Sequence, residues 1–265
     1  MAGRSAFRLV KWYLDLVTEE GEVLIGYAAD LRWGPLRLRC AATLAGRAPG
    51  PFRGATHLLG ASLPTERDGV VRWRVGERGP RGEWTRVRAG PQRVLLDGPE
   101  GAVRWSCLHA SSEARARTAR GPELSGRGYV ERLELTCPPW RLPIRELRWG
   151  RFVAADAALA WIDWRGPQPL RLVLRDGEPV ADARVDDDVV TAGDAALRLS
   201  DPTTLRDGEL GLTALRPLPL LRRALPPAML GTRETKWLSR GELRRPDGRR
   251  ARGWAVHELV QFPPA

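Results

Sequence analysis

A chain of 265 residues and 29.4 kDa has room for one large β domain or two medium ones, and no run approaches the 18 apolar residues that a membrane-spanning helix needs. The formal net charge of +11 is almost wholly arginine, since Lys11 and Lys236 are the only lysines, and it alternates along the chain rather than forming blocks. With no zinc-knuckle or aromatic RNP-type signature, that charge does not make nucleic acid the expected partner. Cys40, Cys107 and Cys137 are widely spaced with no CxxC, which suits reduced thiols, and Met1 to Val10 has no signal-type apolar core. A cytoplasmic protein without a transmembrane segment is the expectation.

Taken in order, the elements repeat with a period of two, the mark of half-buried strands. Trp12, Leu14 and Leu16 alternate with Lys11, Tyr13 and Asp15; a turn over Glu19–Glu22 leads to Val23, Ile25 and Tyr27. Leu36 to Leu44, Val71 to Val75, and the set Val103, Trp105, Cys107 and His109 continue the alternation. So do Leu170 to Leu174 and the closing run of Trp254, Val256, Glu258, Val260 and Phe262. Five Asp-Gly pairs, at 68, 97, 176, 207 and 247, supply the positive φ angles that tight hairpins require. The one expected helix is Pro219 to Ala224. Hairpin-linked strands with one apolar face mean antiparallel sheets, and closure into barrels removes their edges. The expected fold is all-β. Weak alternation over Ser111–Ser125 divides the chain into two tandem barrels, 1–122 and 123–265, with no evident residue-level repeat between them.

Glu131 is the leading chemical candidate. It shares a strand face with Tyr129, Leu133 and Leu135, and a carboxylate on an apolar face is costly unless paired or used. Burial raises a carboxyl pKa toward the range of a general acid; a buried ion pair with Arg151 explains the same residue equally. Glu258, flanked by Trp254, Val256, Val260 and Phe262, has the same two readings, while its neighbour His257 is expected on the other, solvent-facing side. Asp163, between Trp161 and Trp164, is a third inward carboxylate. His109 shares a face with Trp105 and Cys107 and reads as a core histidine. Trp140, Trp149, Trp161, Trp237 and Trp254 could line an apolar cavity or fill a core. The histidines and cysteines are too scattered for a metal site, Asp186–Asp188 lacks calcium-loop spacing, and no hydrolase elbow, P-loop or Rossmann fingerprint is present. No metal or cofactor is called for.

Gly126-Arg127-Gly128-Tyr129-Val130-Glu131, followed by Trp140, Trp149-Gly150-Arg151, Trp161-Ile162-Asp163-Trp164 and Gly253-Trp254-Ala255-Val256-His257-Glu258, resembles the carotenoid hydratase (hydroxyneurosporene synthase) and AttH-type lipocalin-like superfamily. Tocopherol-cyclase-like proteins and some lipocalin-like Diels–Alderases fall in the same group. The resemblance implies two successive calycin-like barrels and a pocket for an isoprenoid, polyene or polyketide-like ligand. With such a pocket, the face reading makes Glu131 the candidate proton donor, with Tyr129, Arg151 and Glu258 as the other catalytic candidates and Trp140, Trp149, Trp161, Asp163, Trp237 and Trp254 at the ligand. Acid-assisted cyclisation, isomerisation or hydration is the chemistry such a site supports. In the hydratase branch a His- or Asp-rich element stands beside the tyrosine; this chain has Val130-Glu131 there. The other readings are a non-catalytic carrier of apolar ligands and a structural protein with filled barrels.

Overall fold

The computed structural model describes residues 7–263. They form β1 (Phe7–Val17), β2 (Glu22–Trp33), β3 (Leu36–Arg47), β4 (Arg53–His57), β5 (Thr65–Arg67), β6 (Val70–Arg74), β7 (Arg81–Arg88), β8 (Gln92–Gly98), β9 (Gly101–Arg117) and β10 (Leu124–Leu135). After a 3-10 turn at Pro139–Arg141 follow β11 (Glu146–Ala154), β12 (Ala158–Arg165), β13 (Leu170–Arg175), β14 (Glu178–Val180), β15 (Ala183–Val185), β16 (Val189–Ala192) and β17 (Ala195–Glu209). Two short helices, α1 (Pro219–Ala224) and α2 (Pro227–Leu230), precede β18 (Arg233–Arg244) and β19 (Arg250–Gln261). The fold is all-β, and every pairing is antiparallel. Helix α1 lies where Pro-bounded Leu and Arg place it; α2 has no counterpart in the sequence expectation.

The strands form two sheets of one design. The first runs β4-β3-β2-β1-β10-β9-β7-β6-β5, with β8 also on β9; the second runs β14-β13-β12-β11-β19-β18-β17-β16-β15. In both, the first and last strands meet at the centre. The chain divides into compact units at Pro138/Pro139. The break expected at 122/123 falls instead between β9 and β10, which pair with each other from Leu124↔Ala116 to Leu135↔Val103. The small core residues Ala114 and Ala116 are what made this stretch look like a linker. The Gly126–Glu131 motif therefore belongs to the first unit.

Two of the Asp-Gly pairs, Asp68-Gly69 and Asp176-Gly177, form two-residue hairpins with both φ angles positive. Glycines elsewhere let strands approach. In the first unit Trp73 of β6 lies against Gly26 of β2, where a Cβ would collide with its ring. Four strands separate the two in the sheet, so the sheet must curl around this contact. Its core gathers Trp12, Leu14, Leu16, Leu24, Trp73, Trp84 and Val130.

The second core gathers Phe152, Leu159, Trp161, Val173, Leu197, Leu243 and Ala255. Its sheet is drawn toward closure by arginines reaching the far edge. Arg165 Nη2 donates to Val185 O (2.7 Å), Arg171 Nη1 to Ala183 O (3.3 Å) and Arg175 Nη1 to Ala192 O (3.2 Å). The first two occupy carbonyls of the edge strand β15, which an open edge would leave unpaired; the third reaches β16 beside it.

A candidate site on the central strands

In β1 every residue from Trp12 to Val17 is buried, so the alternation of burial vanishes. Val130 packs in the core with Leu14 and Leu16, which puts Tyr129 and Glu131 on the opposite face together with Tyr13 and Asp15. Glu131 thus points away from the apolar core, not into the barrel interior.

Strand pairing sets Tyr13 opposite Glu131 and Asp15 opposite Tyr129. Two Tyr-x-carboxylate strands, Tyr13-Leu14-Asp15 and Tyr129-Val130-Glu131, run antiparallel, so phenols and carboxylates alternate in a four-residue checkerboard. Tyr13 donates its hydroxyl to Asp15 Oδ2 (2.7 Å), and Tyr129 donates its own to Glu131 Oε2 (2.9 Å). Trp105 Nε1 donates to the same Glu131 oxygen at 2.6 Å. The Tyr13 ring meets Tyr129 and Tyr27 edge-on, with centroids 6.2 and 5.5 Å away.

A register shift between β10 and β9 at Gly128/Val130 removes Tyr129 from the ladder with β9. Its backbone N–H is taken by Asp15 Oδ1 (3.1 Å), while Asp15 O accepts from Trp84 Nε1 (2.7 Å). This accounts for a fully buried Asp15, since each polar group is bonded. It also accounts for the Gly-x-Gly: a Cβ at Gly126 would overlap Val17 O, and one at Gly128 would overlap Asp15 O and the Trp84 indole.

Burial, then the nearby Cys107 and Glu131, holds the Tyr129 phenol well above its ordinary pKa, so it stays a donor. Burial likewise pushes the Cys107 thiol up, against the opposing influence of the neighbouring Tyr129 hydroxyl. His109 pairs in register with Val130 and is completely buried; neither ring nitrogen meets a hydrogen-bond partner. Burial and then Arg86 lower its pKa to about 4, leaving it neutral at physiological pH.

The other sequence candidates lie in the second unit, on two different faces. On the face away from its core, Lys236 is buried and pairs with Glu258, with Glu234 at 3.7 Å and the Trp149 ring centroid 5.3 Å from its Nζ. Arg151 is fully buried there and donates from Nη1 to Trp254 O (2.9 Å); Arg240 stacks on the Trp254 ring at 3.8 Å.

On the core face, Trp161 packs over Gly150, where a Cβ would strike its ring. His257 lies on this face as well, not on a solvent-facing side. It stacks on Trp237 with centroids 5.2 Å apart, and its Nε2 is 2.8 Å from Ser239 Oγ. Burial, then Lys236, lowers its pKa to about 4, against the pull of Glu258. Asp163 is buried and held by Arg165 Nε (2.8 Å) and Arg171 Nε (2.9 Å), a structural clamp near the sheet closure. Trp140, on the 3-10 turn, is half-buried.

The sequence reading thus named Tyr129 and Glu131 but not Tyr13, Asp15 or Trp105. The Tyr-x-Asp of β1, echoing Tyr-x-Glu, was the available signal. Among the described residues no group of histidine, cysteine and acidic side chains could hold a metal ion, and the three cysteines are free.

No known protein family matches the chain by profile, and no curated protein matches it. Solved structures do. CghA aligns with a TM-score of 0.64 at 12% identity, over 98% of this chain and 90% of that one. An AttH-like protein of Nitrosomonas europaea aligns with 0.55 at 13%, over 96% and 92%. Kievitone hydratase of Nectria haematococca aligns with 0.53 at 9%, over 97% and 89%. The chain has the fold that these three share. As the sequence led one to expect, it is all-β, with two antiparallel sheets.

Proposed function

We propose that the first unit binds an apolar small molecule, of isoprenoid, polyene or polyketide-like chemistry, against the face that carries Tyr13, Asp15, Tyr129 and Glu131, and performs acid-assisted chemistry on it. The observation that carries this reading is the convergence of Tyr129 Oη and Trp105 Nε1 on one oxygen of Glu131. Two donors on one oxygen fix the carboxyl group in a single orientation, which is what a proton donor needs in order to address a substrate atom. Tyr129, kept protonated, orients Glu131. The neighbouring indole and phenol rings are suited to stabilising a cation that develops on an alkene. Arg151 and Glu258 belong to the second unit, where Arg151 donates to Trp254 O and Glu258 pairs with Lys236, and they take no role in this step.

The fold supports the reading by analogy only. One protein of this fold is named a hydratase, and CghA has been solved with Sch210972. A second, structural reading is favoured for the second unit, where Glu258 is paired with Lys236 and Trp161 is locked over Gly150.

The test is binding and turnover of retinol and geranylgeraniol, followed by native mass spectrometry and product analysis, on wild type and Glu131→Gln. Glutamine keeps an oxygen to accept from Trp105 and Tyr129 but has no acidic proton. The expected result is binding within about twofold of wild type and loss of conversion. Equal conversion by the variant removes Glu131 as the acid. Failure of both proteins to bind, with the variant destabilised, leaves Glu131 as a structural residue.

A further inference from the structure

Most strand-to-strand links in the second sheet are short; five residues, 245–249, join β18 to β19. Residues 210–232, between β17 and β18, are different. They contain eight leucines, three arginines (Arg216, Arg222 and Arg223) and no acidic residue between Leu210 and Thr232. Links this long inside a compact unit usually serve a function.

The segment is folded. Leu218 and Leu221 are buried, Arg222 N–H donates to Leu218 O (2.9 Å), and Thr232 Oγ1 donates to Ala228 O (2.9 Å). Its exposed side chains are Leu212, Leu220, three prolines, two alanines, Arg216 and Arg223, with no polar uncharged group among them. Leu212 is 63% exposed and Leu220 77%, two of the few large apolar side chains so placed among the described residues. The turn carrying Trp140 and Arg141 packs beside α2 and adds an aromatic and a further cation.

Leucines are held out to water by buried anchors, the segment's other exposed side chains are proline, alanine and arginine, and one carboxylate, Glu209, stands at its start; the segment is apolar with a net cationic character. That is the chemistry of a segment lying in the headgroup region of an anionic bilayer. Indole and arginine side chains partition to the same depth. We propose that residues 210–232 dock the second unit onto membranes containing anionic phospholipid. The inserted groups are Leu212 and Leu220, and Arg216 and Arg223 pair with lipid phosphates. No helix among the described residues is long and apolar enough to span a bilayer, so the contact is peripheral. The proposal does not rest on the chemistry assigned to Glu131.

Co-sedimentation of the full chain with vesicles of POPC:POPG (1:1) and of POPC alone tests it. The wild type is expected to partition at least tenfold more strongly onto the anionic vesicles and to be released by about 0.5 M NaCl. Leu212→Asp/Leu220→Asp should lower the partition at least tenfold, and Arg216→Gln/Arg223→Gln about threefold or more. Both variants should keep the wild-type melting curve, because all four side chains are exposed. Absence of wild-type binding to anionic vesicles overturns the proposal. So does wild-type partition by the leucine variant, which would trace binding to arginines elsewhere. A wild-type dimer that ignores vesicles and is dispersed by Leu212→Asp/Leu220→Asp also overturns it, and makes the patch a contact between copies of the chain.

Discussion

His109 and His257 are both neutral in the folded protein, with pKa values lowered to about 4. An unfolded histidine titrates near 6.5. As pH falls below that value the unfolded chain takes up protons that the folded chain refuses, so stability drops until about pH 4, where the folded rings protonate. His109 isolates the effect. Its ring nitrogens have no hydrogen bonds to lose, so His109→Leu should cost little at pH 7. Between pH 7 and pH 4.5 the wild type should lose roughly 2 kcal/mol more than the variant in urea unfolding. Identical losses would mean that the buried ring accepts its proton in place. Lone inward histidines read from sequence as core residues; that His109 is unsatisfied as well depends on β9 shifting register at this point, which no local pattern announces.

At the scale of the element, β10 reaches β1 only because Gly126 and Gly128 carry no Cβ, and β19 reaches β11 in the same way at Gly253, whose Cβ would overlap Val153 O. Gly128→Ala must move backbone, not a flexible side-chain end, and should destabilise the protein by roughly 2–4 kcal/mol. Gly98→Ala, exposed with nothing near its Cβ position, should change stability by less than about 0.5 kcal/mol and serves as the control. Equal melting of the two variants would show that the β1–β10 crossing tolerates a side chain. Strands and hairpins were legible because a period of two and Asp-Gly turns are local signals. The face was not. In β1, Trp12 to Val17 are buried on both sides, so Tyr13 and Asp15 read as outward and Glu131 as inward. His257 was misplaced for a related reason. A polar residue between Val256 and Glu258 reads as surface, whereas the stacked Trp237 and the nearby hydroxyl of Ser239 hold it half-buried on the core face.

The molecule as a whole is one pattern used twice. Gly126-x-Gly128-Tyr129-x-Glu131 on β10 corresponds in position to Gly253-x-Ala255-Val256-x-Glu258 on β19, each on the last strand of its sheet and beside the first. The partner strands match as well. Tyr13 stands opposite Glu131 and Trp149 opposite Glu258, and four residues further on Val17 and Val153 present the carbonyls that the first glycines approach. Too few identities survive for a repeat to be seen without the strand pairing. What differs is what holds each glutamate: phenol and indole in the first unit, an ammonium group in the second. A neutralising lysine removes the need for a proton on Glu258, which is why the chemistry is assigned to the first copy. In this design the last strand of each unit is the keystone of its sheet, and the place to divide the chain follows from it. Cutting at 138/139 leaves both sheets whole, whereas cutting at 122/123 strips β10 from between β1 and β9 and exposes two long inner edges. Co-expressed as two chains, 1–138 with 139–265 should be soluble, with strand-type circular dichroism and a cooperative melt. The pair 1–122 with 123–265 should aggregate. Soluble, cooperatively melting material from the second pair would mean that β10 is not required to complete the first sheet.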